Sequence, residues 1–161
     1  MPELLQLIKD LYDLRSEVKD FLHALLLTSE QTLVPYKHTI QQSLSPDVIH
    51  GETLALSHGR KAISDYQKAT KDPIDTLDLM TYYVECGTQF TVDYGDIDEA
   101  FYASLESMFT QVVTRLQHSD QDTIDRFLPR LTGVVRQARG IGWGYYDAIA
   151  DTLEGAFPDG R

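Results

Sequence analysis

A single cysteine, Cys86, excludes an internal disulfide and any zinc site built on several thiolates. Cations are scarce too: 14 Lys and Arg stand against 25 Asp and Glu, a formal charge of −11. Nucleic-acid affinity comes from neutralising phosphates, and the densest basic pair is only Arg60-Lys61, so nucleic acid is excluded as a partner. The same balance disfavours anionic membranes. No apolar run approaches the ~18 residues that suggest a membrane span. Met1 leads straight into an amphipathic pattern with Glu3, Lys9 and Asp10, not into the charged-then-apolar order of a secretory signal. These absences predict a cytoplasmic protein with no membrane attachment.

Catalytic signatures are missing as well. His23, His38, His50, His58 and His118 never fall four residues apart, and no H-E-x-x-H occurs, so no metal site is expected. No G-x-S-x-G is present. The glycine-rich "GIGWG" at 140–144 has no strand before it and no Lys-Ser/Thr after it, so it reads as an interhelix loop with Gly140 as a C-cap. Cys86 falls on the apolar side of a helix and reads as an inert small hydrophobe. No cofactor is expected.

What the chain does have is helical periodicity almost throughout. Leu4, Ile8 and Leu11 form a stripe widened by Leu5 and Tyr12. Ser16 caps a second segment with Val18, Phe21, Leu22 and Leu25 inward. Ser29 opens a third with Leu33, Tyr36, Ile40 and Leu44, where Pro35 predicts a kink or a late start. Residues 45–53, "SPDVIHGET", read as a linker between N-terminal helices (1–45) and a main helical stack (54–157) within one 161-residue domain. A fourth helix over Leu54–Thr70 places Ala55, Gly59, Ala62, Ile63, Tyr66 and Ala69 inward.

Asp72-Pro73 reads as an N-cap followed by proline at the first helical position. The helix it opens has two apolar faces, Leu77, Met80 and Val84 on one and Leu79, Tyr83, Cys86 and Phe90 on the other, so it is expected between neighbours. Gly87 inside it suggests close helix contact. Ile97, Phe101, Leu105, Met108, Val112 and Leu116 mark the next helix, and Ile124, Phe127, Leu128, Leu131, Val134, Val135 and Ala138 another, bent at Pro129. Tyr146, Ile149, Ala150, Leu153 and Phe157 mark the last. The expectation is an all-α fold of seven to eight antiparallel helices: a short right-handed stack of helical hairpins of the HEAT kind, or a compact bundle.

Two segments invite a functional reading. "DYGDIDE", residues 93–99, holds four carboxylates beside a glycine. It fails the spacing of a calcium loop whether counted from Asp93 or from Asp96. It reads instead as a turn in which Gly95 takes a positive φ, Asp96 caps the next helix, and Asp98 and Glu99 favour its positive end. The second is a crowd of polar residues in the middle of the chain. Tyr82, Tyr83, Glu85 and Gln89 share one helix, and a partly buried Glu85 would need a partner, for which Arg60 on the neighbouring helix is the candidate. Trp143, Tyr145 and Tyr146 near Asp147 could form a surface aromatic anchor, although a lone tryptophan more often packs in the core.

The phrases "LIKDLYDLRSEVKDFL" (7–22), "GRKAISDYQKAT" (59–70), "YVECGTQFTVDYGDIDEAFYASLESMF" (83–109) and "GIGWGYYD" (140–147) together resemble a family of small uncharacterised bacterial all-helical proteins, a domain of unknown function. The resemblance implies a bacterial cytoplasmic helical domain and names no reaction. It draws attention to Arg60, Tyr83, Glu85, Tyr94, Asp96, Trp143 and Tyr146. Gly59 and Pro35 depart from it, since helix formers are expected at both positions. The leading expectation is a protein-interaction or scaffold module, without catalytic residues, that binds another protein or its own copy through Arg60, Tyr83, Glu85, Trp143 and Tyr146. The alternative is an enzyme or small-ligand binder using Glu85, Arg60 and the neighbouring tyrosines.

Overall fold

A computed structural model of the protein describes residues 2–15, 17–18, 21–22, 29–45 and 53–158. Among the described residues there are seven helices and no strand: α1 (Pro2–Leu14), α2 (Ser29–Leu44), α3 (Leu56–Thr70), α4 (Pro73–Tyr94), α5 (Glu99–Gln117), α6 (Gln121–Gln137) and α7 (Tyr145–Ala156). Ser16 and much of the segment it was expected to cap, Leu25 included, and most of the 45–53 linker lie outside the described residues.

Local chemistry sets the helix starts. The Asp72 carboxylate accepts from the Ile74 and Asp75 amides at 2.9 and 3.0 Å, and Pro73 supplies the first helical residue. Asp120 caps α6 through the Thr123 amide at 2.8 Å. α5 is capped by Asp98, not Asp96: Asp98 Oδ1 accepts from the Phe101 amide at 2.8 Å. Both aspartates precede the apolar stripe, and the turn simply ends two residues later than the capping-box spacing suggested. α2 runs from Ser29 straight through Pro35, so its start is not delayed, and α6 likewise runs through Pro129. α3 begins at Leu56 rather than Leu54.

The helices form a bundle around α4. It packs against α2, α3, α5 and α6, and α7 closes over α5 and α6. Both of its apolar faces are used, with Leu77, Met80, Val84, Leu79, Tyr83 and Phe90 all buried. The stripes of α5 (Phe101, Leu105, Met108, Val112, Leu116) and α6 (Phe127, Leu131, Val134) complete the core. Two glycines set how closely the helices approach. A Cβ on Gly87 would lie 2.4 Å from Leu105 Cδ2, and one on Gly59 would lie 2.3 Å from Ser43 Oγ and 3.0 Å from the Tyr83 ring. Glycine at 59, where a helix former was expected, is therefore a condition of packing α3 against Tyr83 and α2.

Buried polar atoms are paired within this core. Tyr66 Oη donates to Asp75 Oδ2 at 2.8 Å, and the Thr88 and Tyr145 hydroxyls share a 2.7 Å bond. No buried side-chain nitrogen or oxygen among the described residues lacks a partner. α1 stands apart from this pattern: Leu4, Leu5, Leu7, Ile8, Leu11 and Leu14 are all exposed.

Candidate functional site

Asp78 and Glu85 are seven residues apart, two turns on one face of α4, and that face looks out between α2 and α6. Lys37 and Gln41 of α2 approach from one side, and Arg130, Gly133 and Gln137 of α6 from the other. Arg130 Nε donates to Glu85 Oε1 and Nη2 to Glu85 Oε2, both at 2.7 Å. Its Nη1 reaches Asp78 Oδ1. Lys37 Nζ sits 2.6 Å from the other Asp78 oxygen. The Arg130 guanidinium also lies over the Phe127 ring, 5.5 Å from its centroid.

The four charges sum to zero, which is how a carboxylate only 7 % exposed is tolerated in the fold. Burial alone would raise the Asp78 carboxyl. The hydrogen bonds from Lys37 and Arg130, with their charges, outweigh it and hold Asp78 below its ordinary value. Arg130 is pulled the other way: burial lowers it, but Glu85 and Asp78 raise it further. Asp78 therefore stays ionised near neutral pH and has no proton to give. This is an ion-pair network and not an acid/base pair.

Beside the network lies an open cleft of about 630 Å³, lined by Gln41, Tyr82, Glu85, Cys86, Gln89 and Arg130 among others. At its rim Gln137 donates to Gln89 at 3.0 Å. Cys86 is half-buried here, and burial pushes its thiol up to about 11, with the Glu85 charge adding to the rise. That thiol is a poor nucleophile near neutral pH.

The expected pairing of Arg60 with Glu85 is not formed. Arg60 Nε donates to Ser104 Oγ at 3.0 Å and Nη2 to the Ser104 carbonyl at 2.7 Å, so it ties α3 to α5. Tyr83, also expected at a site, is fully buried with its hydroxyl 2.8 Å from the same Ser104 oxygen. Arg60 and Tyr83 thus belong together, away from Glu85. Arg130, Asp78 and Lys37 complete the network without having been singled out by spacing. The signal for Asp78 was there: a lone acid between Leu77 and Leu79 on a helix apolar on two faces.

Trp143 gives the second surprise, because it is 60 % exposed and not core. Its φ is +60°, a left-handed conformation that tryptophan rarely adopts, between Gly142 and Gly144 (φ +75°). Of the aromatic trio only Trp143 is at the surface. Tyr145 is fully buried on Thr88, and Tyr146 is half-buried in a small pocket with Leu153 and Phe157. The Trp143 loop is held from the side by Asp96. Asp96 Oδ1 accepts from Tyr102 Oη at 3.1 Å and from the Gly142 amide at 3.4 Å. A Cβ on Gly142 would lie 2.7 Å from Asp96 Oδ2, so a larger residue there would push the Asp96 carboxylate aside. The "DYGDIDE" turn and the Trp143 turn therefore form one end of the molecule. Tyr94, 57 % exposed, and the exposed Asp93, Glu99 and Asp147 belong to the same end. No group of three or more His, Cys, Asp or Glu side chains able to hold a metal ion is present among the described residues.

No family model, curated protein or solved structure matches the chain. The resemblance drawn above rests on its quoted phrases alone.

Proposed function

We propose that the protein is an interaction module whose Trp143 end docks a basic segment of another protein. The observation that carries this reading is the exposed Trp143 ring, held in a left-handed backbone between two glycines and braced by Asp96. Strained, exposed aromatic positions persist where the surroundings enforce them, and such positions concentrate at binding sites. Tryptophan is also among the residues that dominate binding energy at interfaces. The acids around it favour a cationic partner, whose lysine or arginine side chains can lie over the Trp143 and Tyr94 rings. An assignment to a bacterial cytoplasmic family belongs to this proposal and rests on the quoted phrases.

The ion-pair cleft supports a second reading, a small-ligand site using Glu85. What favours it is the open volume beside Glu85, Gln89 and Gln137. Against an enzyme stands the mutual satisfaction of Asp78, Glu85, Lys37 and Arg130, which ties up both carboxylates of the network.

The test is titration of the protein with a lysine- and arginine-rich peptide, followed by Trp143 emission. Binding should shift the emission, weaken with added salt, and fall at least tenfold in Trp143→Ala (followed by calorimetry) while the denaturant midpoint hardly moves. No binding at low salt, or equal binding by Trp143→Ala, overturns the proposal.

A further inference from the structure

α1 carries Leu4, Leu7, Ile8, Leu11 and Leu14 at helical spacing, and every one of them is exposed. Glu3 and Asp10 flank that row beside Leu14, and Asp13 lies on the far side with the single cation Lys9. The stretch from the middle of α6 onward has the reverse character. From Arg126 to Arg139 the chain has four arginines and no acid, in a protein of net charge −11. Arg136 lines the cleft beside Glu85 and Cys86 and takes part in no ion pair among the described residues. The floor of that cleft is apolar where Tyr82, Cys86 and Val134 face it. At Gly133 there is open space, since a Cβ added there meets nothing within 4 Å. A helix of 13 residues is about 20 Å long, so α1 is long enough to lie along such a groove between two helices.

We propose that α1 of one copy docks in the cleft between α2 and α6 of a second copy. Its leucine row covers Tyr82, Cys86 and the Gly133 gap, and its acids face Arg136. Reciprocal exchange closes a two-fold dimer. The chain's own α1 is a poorer occupant. Glu17 and Phe21, just beyond α1, line a pocket with Lys61, Asp65 and Lys68 of α3, which places the chain that follows α1 beside α3 and not at the cleft. The proposal uses a different surface from the Trp143 end, and either can fail without the other.

Sedimentation of the full chain should show a dimer that weakens as salt is added. Leu11→Glu, a change at an exposed residue, should give monomers. Gly133→Phe places a ring in the open space at Gly133 and should also give monomers, while Trp143→Ala stays dimeric. In Leu7→Cys, a short bismaleimide should join the introduced thiol on α1 to the slow-reacting Cys86 of the other copy over a long incubation, producing a covalent dimer that Cys86→Ser abolishes. Three results overturn the proposal: a monomer at every concentration, a dimer untouched by Gly133→Phe, and a cross-link that forms within one chain.

Discussion

Glu85 and Arg130 face each other across the α4–α6 interface through two parallel 2.7 Å hydrogen bonds, a fork meeting a fork. The same guanidinium neutralises Asp78, so one residue on α6 holds two carboxylates on α4. Arg130→Met should therefore cost about 1–3 kcal/mol at neutral pH, because Glu85 loses its partner while the buried Asp78 keeps only Lys37. The sign with pH follows from Asp78. Its folded value lies below the unfolded one, so its contribution is present above about pH 4 and is lost as pH falls through the lower folded value. The gap between wild type and Arg130→Met should shrink in acid, where the stranded carboxylates become neutral. Urea midpoints at about pH 7 and about pH 3, on either side of the ordinary carboxylate range, measure this, and a gap that ignores pH would count against the network.

Gly87→Ala isolates the α4–α5 approach. Alanine would gain about 1 kcal/mol of helix propensity, but its Cβ would press on the fully buried Leu105 side chain. Overpacking of this kind costs about 1–3 kcal/mol. A net loss of stability is expected, and Leu105→Ala in the same chain should relieve the clash and show non-additivity. A stabilised single variant would mean that the helices can part at no cost.

The two aspartates of the turn should separate by role. Asp98→Ala removes the α5 cap and should lower stability by about 0.5–2 kcal/mol. Asp96→Ala instead releases Gly142 and Tyr102. It should alter Trp143 emission and quenching, which Asp98→Ala should leave alone. Acrylamide quenching of both variants makes the comparison, and identical quenching would contradict the bracing role of Asp96.

Cys86 offers a chemical check on the cleft. With its thiol pushed up to about 11, it should alkylate at about pH 8 roughly a hundredfold more slowly than a free cysteine. Iodoacetamide labelling followed by mass spectrometry reads this directly. Labelling as fast as free cysteine would show that burial does not govern the thiol.

Much of the helical plan could be read from the sequence, because burial repeats with the helix period. Leu77, Met80 and Val84, or Phe101, Leu105 and Met108, announce their faces by spacing alone. Asp72-Pro73 and Gly87 were legible for the same reason, since their chemistry is local. That Glu85 would need a partner was legible, but which partner was not. Arg60 and Arg130 are equally good partners on paper, and the choice depends on which helix lies across α4, which no local spacing encodes. Trp143 stayed open between core and surface because hydrophobicity argues for burial, whereas the backbone of its turn leaves the ring exposed. The exposure of α1 could not be seen either, since an amphipathic stripe looks the same whether or not a partner covers it.

α4 touches four of the other helices, and its residues are buried on both apolar faces. Removing it would leave α2 and α3 on one side and α5, α6 and α7 on the other. The protein therefore has no half that can come loose while the rest stays folded, and α2 to α7 should melt in one cooperative step. Amides in the middle of α4 should exchange with solvent only when the whole bundle opens, while those of α1 should exchange through local fraying. The last helix protected is thus the one carrying Asp78 and Glu85, so the cleft should keep its shape until the molecule as a whole gives way.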